Sequence, residues 1–218
     1  MSPRSNVYSI ERYRGDVPFQ PSLFAPQRPL DSSRRERRQL TVGAWLDVCR
    51  GWMAEPDDVF LTLRRDVPWR AERRRMYDRV VDVPRLAHTF HPGDPLPHSA
   101  LVAARDALSE HYRDELGEPF VSAGCCYYRD GRDSVAWHGD TIGRGKTDDT
   151  MVAIVSLGAT RRLQLRPRGG GASVSVEMHH GDLVVMGGSC QRTWEHAIPK
   201  VAAAGPRISV QFRPHNVF

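Results

Sequence analysis

From Gly117 onward the chain is broken every few residues by glycine, proline or paired polar residues, so no regular element there can be long. Between the breaks lie short runs rich in Val, Ile, Leu and aromatic residues, the composition of half-buried or buried strands. Strands are expected near 121–128, 134–138, 150–157, 162–166, 172–178, 182–187, 191–197 and 207–213. Eight short strands within about ninety residues specify two layers of sheet, a sandwich or jelly roll, and exclude a helix bundle. Eighteen glycines and sixteen prolines fit so turn-rich an architecture. Gly169-Gly170-Gly171 reads as a hairpin turn, because no helix follows it to make a phosphate loop.

The first half of the chain has a different texture. Residues 1–39 are rich in Pro, Ser and Arg and are expected to form a mobile basic arm. Residues 40–98 read as an N-terminal extension: apolar alternation over Leu40–Val48 suggests a strand, and Asp57-Asp58 begin a short helix through Phe60, Leu61 and Leu63 that Pro68-Trp69 stop. Ser99–Leu116 is the clearest amphipathic helix, with Leu101, Ala104, Leu108 and Tyr112 on one stripe. It opens the segment 99–218, which together with 40–98 is expected to make one domain.

Apolar residues are 40% of the chain, enough for a sizeable core, yet no apolar stretch approaches the roughly 18–20 residues needed to span a bilayer. Cys49, Cys125, Cys126 and Cys190 show no C-x-x-C spacing, which argues against a zinc ribbon and for a reducing, cytoplasmic setting. Cys125 and Cys126 should point to opposite faces of one strand. The net charge is +5, and only Lys146 and Lys200 are lysines among 31 basic residues. Arginine offers a planar fork for phosphates, so this balance permits a nucleic-acid partner without requiring one. Eight arginines fall between Arg64 and Arg85, interleaved with Trp69, Met76 and Tyr77.

Trp137-His138-Gly139-Asp140 ends a predicted strand and puts His138 and Asp140 two residues apart, on one face of extended chain. His196 follows in Thr-Trp-Glu-His-Ala. Two histidines and one carboxylate can occupy one face of an Fe(II) ion and leave the other positions open. Arg207 and Arg213 lie on one face of the last predicted strand. Two inward-facing guanidinium groups need anionic partners, and a dicarboxylate such as 2-oxoglutarate supplies one carboxylate to each.

With these residues in view, the sequence resembles the AlkB family of Fe(II)- and 2-oxoglutarate-dependent dioxygenases. The resemblance runs over roughly 69–213: Pro68-Trp69, Met76 to Arg79, Val83 to Leu86, Tyr128 to Gly131, His138-x-Asp140, Gly181 to Gly188, His196, and Arg207 to Arg213. It implies a mostly β (α+β) fold, a double-stranded β-helix core of jelly-roll or cupin type with N-terminal helices and a nucleotide-recognition lid. It implies that His138, Asp140 and His196 bind iron. Arg207 would take the distal carboxylate of 2-oxoglutarate and Arg213 would stand near its C1 carboxylate. Tyr128 would hydrogen-bond the cosubstrate. The sequence departs from the family pattern at Cys126, where an asparagine is usual, and at Ser209 and Gln211. The implied reaction consumes O2 and 2-oxoglutarate, removes an N-methyl group from a base of alkylated DNA or RNA, and releases formaldehyde, succinate and CO2. The base must be flipped from a duplex or presented in a single strand. The lid would be Arg64–Arg85, with Trp69 and Tyr77 stacking opposite His138 and Met76 and Arg79 beside them. A monomer is expected.

Two other readings use the same residues. One keeps the chemistry and changes the substrate to a protein or small molecule; the other is a non-catalytic jelly-roll module with vestigial ligands. Asp133 is a candidate to orient His138 or to cap a turn. His88, His91, His98, His179 and His180 read as loop or capping residues.

Overall fold

The computed structural model describes residues 31, 34–76 and 79–218, with the backbone alone over 72–82. Most of residues 1–39, and Tyr77, lie outside the described part. Among the described residues, twelve strands form two antiparallel sheets. The strands are β1 (Glu36–Gln39), β2 (Ala44–Cys49), β3 (Arg70–Met76), β4 (Arg79–Phe90), β5 (Ser122–Tyr128), β6 (Val135–His138), β7 (Val152–Gly158), β8 (Arg161–Pro167), β9 (Val174–Met178), β10 (Leu183–Gly188), β11 (Trp194–Ile198) and β12 (Arg207–Arg213). The larger sheet runs β1-β2-β10-β7-β12-β5-β4-β3 and the smaller β6-β11-β8-β9. This is the expected jelly-roll core.

Period-two alternation decides what each strand gives to each layer. On β7, Ala153, Val155 and Leu157 face the helices while Val152 and Ile154 face the smaller sheet. On β10, Leu183 and Val185 take the first side and Val184 and Met186 the second. Such strands, buried on both faces, read as continuous apolar runs. The last strand differs. Ile208, Val210 and Phe212 pack under the helices, so parity turns Arg207, Ser209, Gln211 and Arg213 into the space between the sheets.

Helix α1 (Pro56–Asp66) and α2 (Ser99–His111) cover the outer face of the large sheet. Glu55 precedes α1 in a left-handed conformation, and Pro56 starts it. The side chain of His98 caps α2 by accepting from the Ala100 N–H. The predicted stripe of Leu101, Ala104, Leu108 and Tyr112 is fully buried. The helix ends sooner than expected: Tyr112 leaves helical geometry, and a single turn, α3 (Arg113–Leu116), closes on Gly117 at φ +75°.

Three other expectations are corrected. The strand expected over 40–48 is split: Thr41–Gly43 form a 3-10 turn and only Ala44–Cys49 extend. The arm boundary at 39 is not structural, since β1 pairs with β2. Arg37 explains this, because it makes two 2.7 Å hydrogen bonds to the buried Asp47 carboxylate and lies 3.8 Å from the Trp45 ring. The strand expected over 191–197 begins as a helical turn, α4 (Cys190–Thr193), closed by Thr193 donating to the Ser189 carbonyl. Within residues 40–98, β2 and β4 are inner strands of the large sheet. No helix among the described residues is long and apolar enough to cross a membrane.

Candidate metal centre and cosubstrate cavity

Strand pairing brings the first two ligand candidates together. His138, the last residue of β6, sits directly across from His196 on β11, and their rings are 4.2 Å apart. Asp140 lies beyond the strand end, where its backbone N–H donates to the Gln191 side-chain oxygen at 3.0 Å. One donor atom from each of His138, Asp140 and His196 lies within 4.8 Å of the others. The His138 Nδ1–H donates to the Ala136 carbonyl at 2.9 Å, which leaves the Nε2 lone pair facing Asp140.

The environment deprotonates all three groups. Burial, reinforced by the neighbouring His138, pushes the His196 imidazole down to about 3. Burial also lowers His138. Burial alone would raise Asp140, but Arg213 and the two imidazoles outweigh it and hold the carboxyl at about 2. Neutral imidazoles beside an ionised carboxylate are a metal-ready donor set at neutral pH.

Arg213 reaches this carboxylate from β12, its Nε 2.8 Å from Asp140 Oδ2. Gly124 on β5 makes the approach possible. A Cβ there would come within 2.6 Å of Arg213 Nη1.

Six residues up the same face, Arg207 is fully buried. Its Nε donates to Ser156 Oγ at 2.9 Å, and its guanidinium lies 5.0 Å from the Tyr128 ring. Its Nη1 is buried without a hydrogen-bond partner among the described residues. A buried guanidinium with an unfilled donor calls for an anion. Between this arginine and the histidines lies a cavity of about 80 Å³, lined also by Tyr128, Cys126 and Ser209. The donor set and the unfilled guanidinium thus fit a divalent iron and an elongated dicarboxylate.

The structure therefore gathers His138, Asp140, His196, Arg207, Arg213, Tyr128, Cys126 and Ser209 around one space. Cys126 receives the Arg85 Nε–H at 3.3 Å, and Ser209 receives Gln211 Nε2 at 2.5 Å. Cys125 faces the opposite core, as strand parity requires.

Trp69 is not brought to the site. Its indole N–H donates to the Leu63 carbonyl at 3.2 Å and its ring packs 5.4 Å from Tyr127, under the helices. The proline before it directs the chain off α1 and into that apolar layer, so Trp69 anchors the hairpin base. Met76 and Arg79 stand at the β3–β4 tip, and Tyr77 lies outside the described residues. Asp133 does not orient His138; it binds the Arg129 backbone and guanidinium and caps the 129–133 turn. Sequence reasoning missed Gln191, which holds Asp140, and Ser156, which holds Arg207. Only the register Ser209↔Ser156 would have revealed the second. A further cluster joins the exposed Glu55 and Asp58 to the half-buried His98. Its imidazole is already engaged on both nitrogens, by Ala100 and by Asp58.

The family model of the 2OG-Fe(II) oxygenase superfamily matches residues 57–213. The chain is 32% identical to alpha-ketoglutarate-dependent dioxygenase alkB homolog 3 of Bos taurus, over 76% of this chain and 64% of that protein. It is 30% identical to the Homo sapiens protein of the same name, over 73% and 61%. The DNA oxidative demethylase ALKBH2 of Homo sapiens is 25% identical, over 73% and 69%. The chain thus spans a little under two thirds of the alkB homolog 3 proteins it matches. In fold it is similar to the solved structure of OsALKBH1, with TM-score 0.54 at 14% identity, covering 83% of this chain and all of that one.

Proposed function

We propose, because this chain belongs to the 2OG-Fe(II) oxygenase superfamily as an AlkB-like member, that it is an Fe(II)- and 2-oxoglutarate-dependent dioxygenase removing alkyl groups from nucleic-acid bases. The observation that carries this reading is the convergence of His138, Asp140 and His196 beside a buried Arg207 whose Nη1 has no hydrogen-bond partner among the described residues. His138, Asp140 and His196 hold the iron. Arg207, fixed by Ser156 and Tyr128, takes the distal carboxylate of 2-oxoglutarate. Arg213 fixes the Asp140 carboxylate through Oδ2 and leaves Oδ1 on the His138 side. Iron with 2-oxoglutarate and O2 supplies the oxidation of an N-alkyl C–H bond, the alkyl carbon leaving as an aldehyde with succinate and CO2. Apolar walls of Ile154, Leu163 and Ile198 keep water from the cosubstrate end.

Nucleic acid as substrate is supported by the arginine-rich hairpin β3–β4, which extends the sheet next to β5, the strand that carries Cys126 and Tyr128. The test incubates the protein with Fe(II), 2-oxoglutarate and a panel of methylated oligonucleotides while formaldehyde, succinate and restored base are measured. Wild type should release formaldehyde in step with repair, whereas His138→Ala and Asp140→Ala should release none while keeping the wild-type circular dichroism. Succinate production that no methylated oligonucleotide stimulates would instead favour a protein or small-molecule substrate.

A further inference from the structure

We infer that Arg161, which is neither a ligand nor part of the cavity wall, is the positioning residue that holds β6 in register on β11 and so sets the spacing of His138 and His196. This rests on the iron-dependent reading of the site and names what keeps its two imidazoles together.

The pairing of His138 with His196 is carried by a short, irregular ladder. Strand β6 has four residues and stands at the edge of the smaller sheet, beside β11. The register moves three residues along β6, from His138 to Val135, while it moves two along β11, from His196 to Ile198. Such a bulge leaves one residue unpaired and bends its strand. A one-residue slip of β6 would turn His138 to the opposite face of the sheet. The far end of the ladder therefore needs a fastening.

Arg161 stands at that far end. It opens β8, and parity with Leu163 and Leu165 turns its side chain into the fold, where it is 2% exposed. Strand β8 pairs with β11 only as far as Gln164↔Ala197, and Pro199 has no N–H to carry a ladder further. The guanidinium bridges the gap instead. Its Nη2 donates to the Pro199 carbonyl at 2.6 Å and to the Asp133 carbonyl at 2.8 Å, and its Nη1 donates to the Asp130 carbonyl at 3.2 Å. Pro199 follows β11 directly and Asp133 lies two residues before β6. One planar group thus joins the exit of one strand to the entry of the other.

The Val201 N–H closes the same joint by donating to the Gly131 carbonyl at 2.8 Å. Glycine permits this approach, because a Cβ at 131 would lie 2.4 Å from the Val201 carbonyl oxygen. The Arg161 guanidinium also lies 5.5 Å from the ring of Tyr128, the last residue of β5, so the joint abuts the cosubstrate end of the cavity. Burying a guanidinium carries a desolvation cost that an apolar side chain of similar volume avoids. All three of these bonds go to backbone, so what the group contributes is the placement of two chain segments.

The experiment titrates metal-free protein with Co(II), an oxygen-stable stand-in for Fe(II), in wild type, Arg161→Lys and Leu108→Ala. Lysine keeps the charge and most of the stem but has one nitrogen in place of the fork. Arg161→Lys should bind Co(II) about 10–100-fold more weakly, the range for groups that orient a metal ligand. Leu108→Ala removes stability on the far side of the large sheet and should bind as wild type does, which separates positioning from general destabilisation. Wild type supplies a second readout, since a joint that favours the metal is favoured by the metal in return. Co(II) should slow hydrogen exchange of the Val201 amide about 10–100-fold, by opposing local opening of the joint. Wild-type affinity in Arg161→Lys, an equal loss in Leu108→Ala, or Val201 exchange unmoved by Co(II) overturns the inference alone. Should Arg161→Lys fail to fold, the exchange result decides. A wild type that takes up no Co(II) overturns the metal reading and this inference with it.

Discussion

Arg207 and Arg213 share a strand face, six residues apart, yet the fold uses them differently. Arg213 has an internal anion in Asp140. Arg207 has a hydroxyl, an aromatic face and a vacant donor. Burial lowers the Arg207 guanidinium below its ordinary pKa, but the group stays charged at neutral pH, so its charge awaits a partner. Arg207→Met keeps volume and removes the charge. It should raise the 2-oxoglutarate concentration needed for half-maximal succinate formation by about a hundredfold to a few thousandfold, since breaking a buried charge pair costs about 3–5 kcal/mol. An unchanged 2-oxoglutarate dependence would move the cosubstrate carboxylate elsewhere. Cys126 and Ser209 belong to the same scale, because parity aims both into the cavity whatever their chemistry.

At the scale of elements, α2 and β12 show how one sequence period serves two purposes. The α2 stripe exists to be buried, and Leu108 is completely so. Leu108→Ala should lower unfolding free energy by about 2–5 kcal/mol, read by denaturant titration, with retained iron binding because the helix lies across the large sheet from the ligands. A loss below about 1 kcal/mol would mean that the site collapses to fill the cavity. Strand β12 instead divides its residues, with apolar side chains under the helices and polar ones between the sheets. The alternation was plain in the sequence and put Arg207 and Arg213 on one inward face. The end of α2 at Tyr112 was not plain, because the interruption comes from a distant partner: the Tyr112 hydroxyl donates to Asp47 at 2.9 Å. The 36–39 strand was hidden for the same reason. Its sequence Glu-Arg-Arg-Gln has no apolar alternation, and pairing follows from Arg37 meeting Asp47 and Trp45.

For the molecule as a whole, the buried imidazoles govern the response to acid. Burial depresses His138, His180 and His196 below the ordinary value of 6.5. The unfolded chain therefore binds more protons than the folded one from about pH 6.5 down to the folded values, and stability falls as pH falls through that window. Asp140 acts in the same direction at lower pH: its contribution is full above 3.8 and is lost towards about 2. His180 adds a structural reason, since its Nδ1 accepts the Gly158 N–H and the other nitrogen faces Asp57. The thermal midpoint of the metal-free protein should drop as pH goes from 7 to 5, at about 2–4 °C per kcal/mol for a chain this size. A flat profile over that range would show that these imidazoles are not buried neutral.

The run of short strands after Gly117, the two-layered core, the ligand types and the paired arginines were determined by the sequence alone, because each depends on local period or on residue identity. Tertiary structure decided which of these groups meet. It set His138 across from His196 through strand register, turned Arg213 to Asp140 over a glycine, and drew Trp69 into the helix layer away from the site. Those outcomes depend on contacts between residues dozens of positions apart, where the free energy of burying an indole or pairing a carboxylate outweighs any local preference.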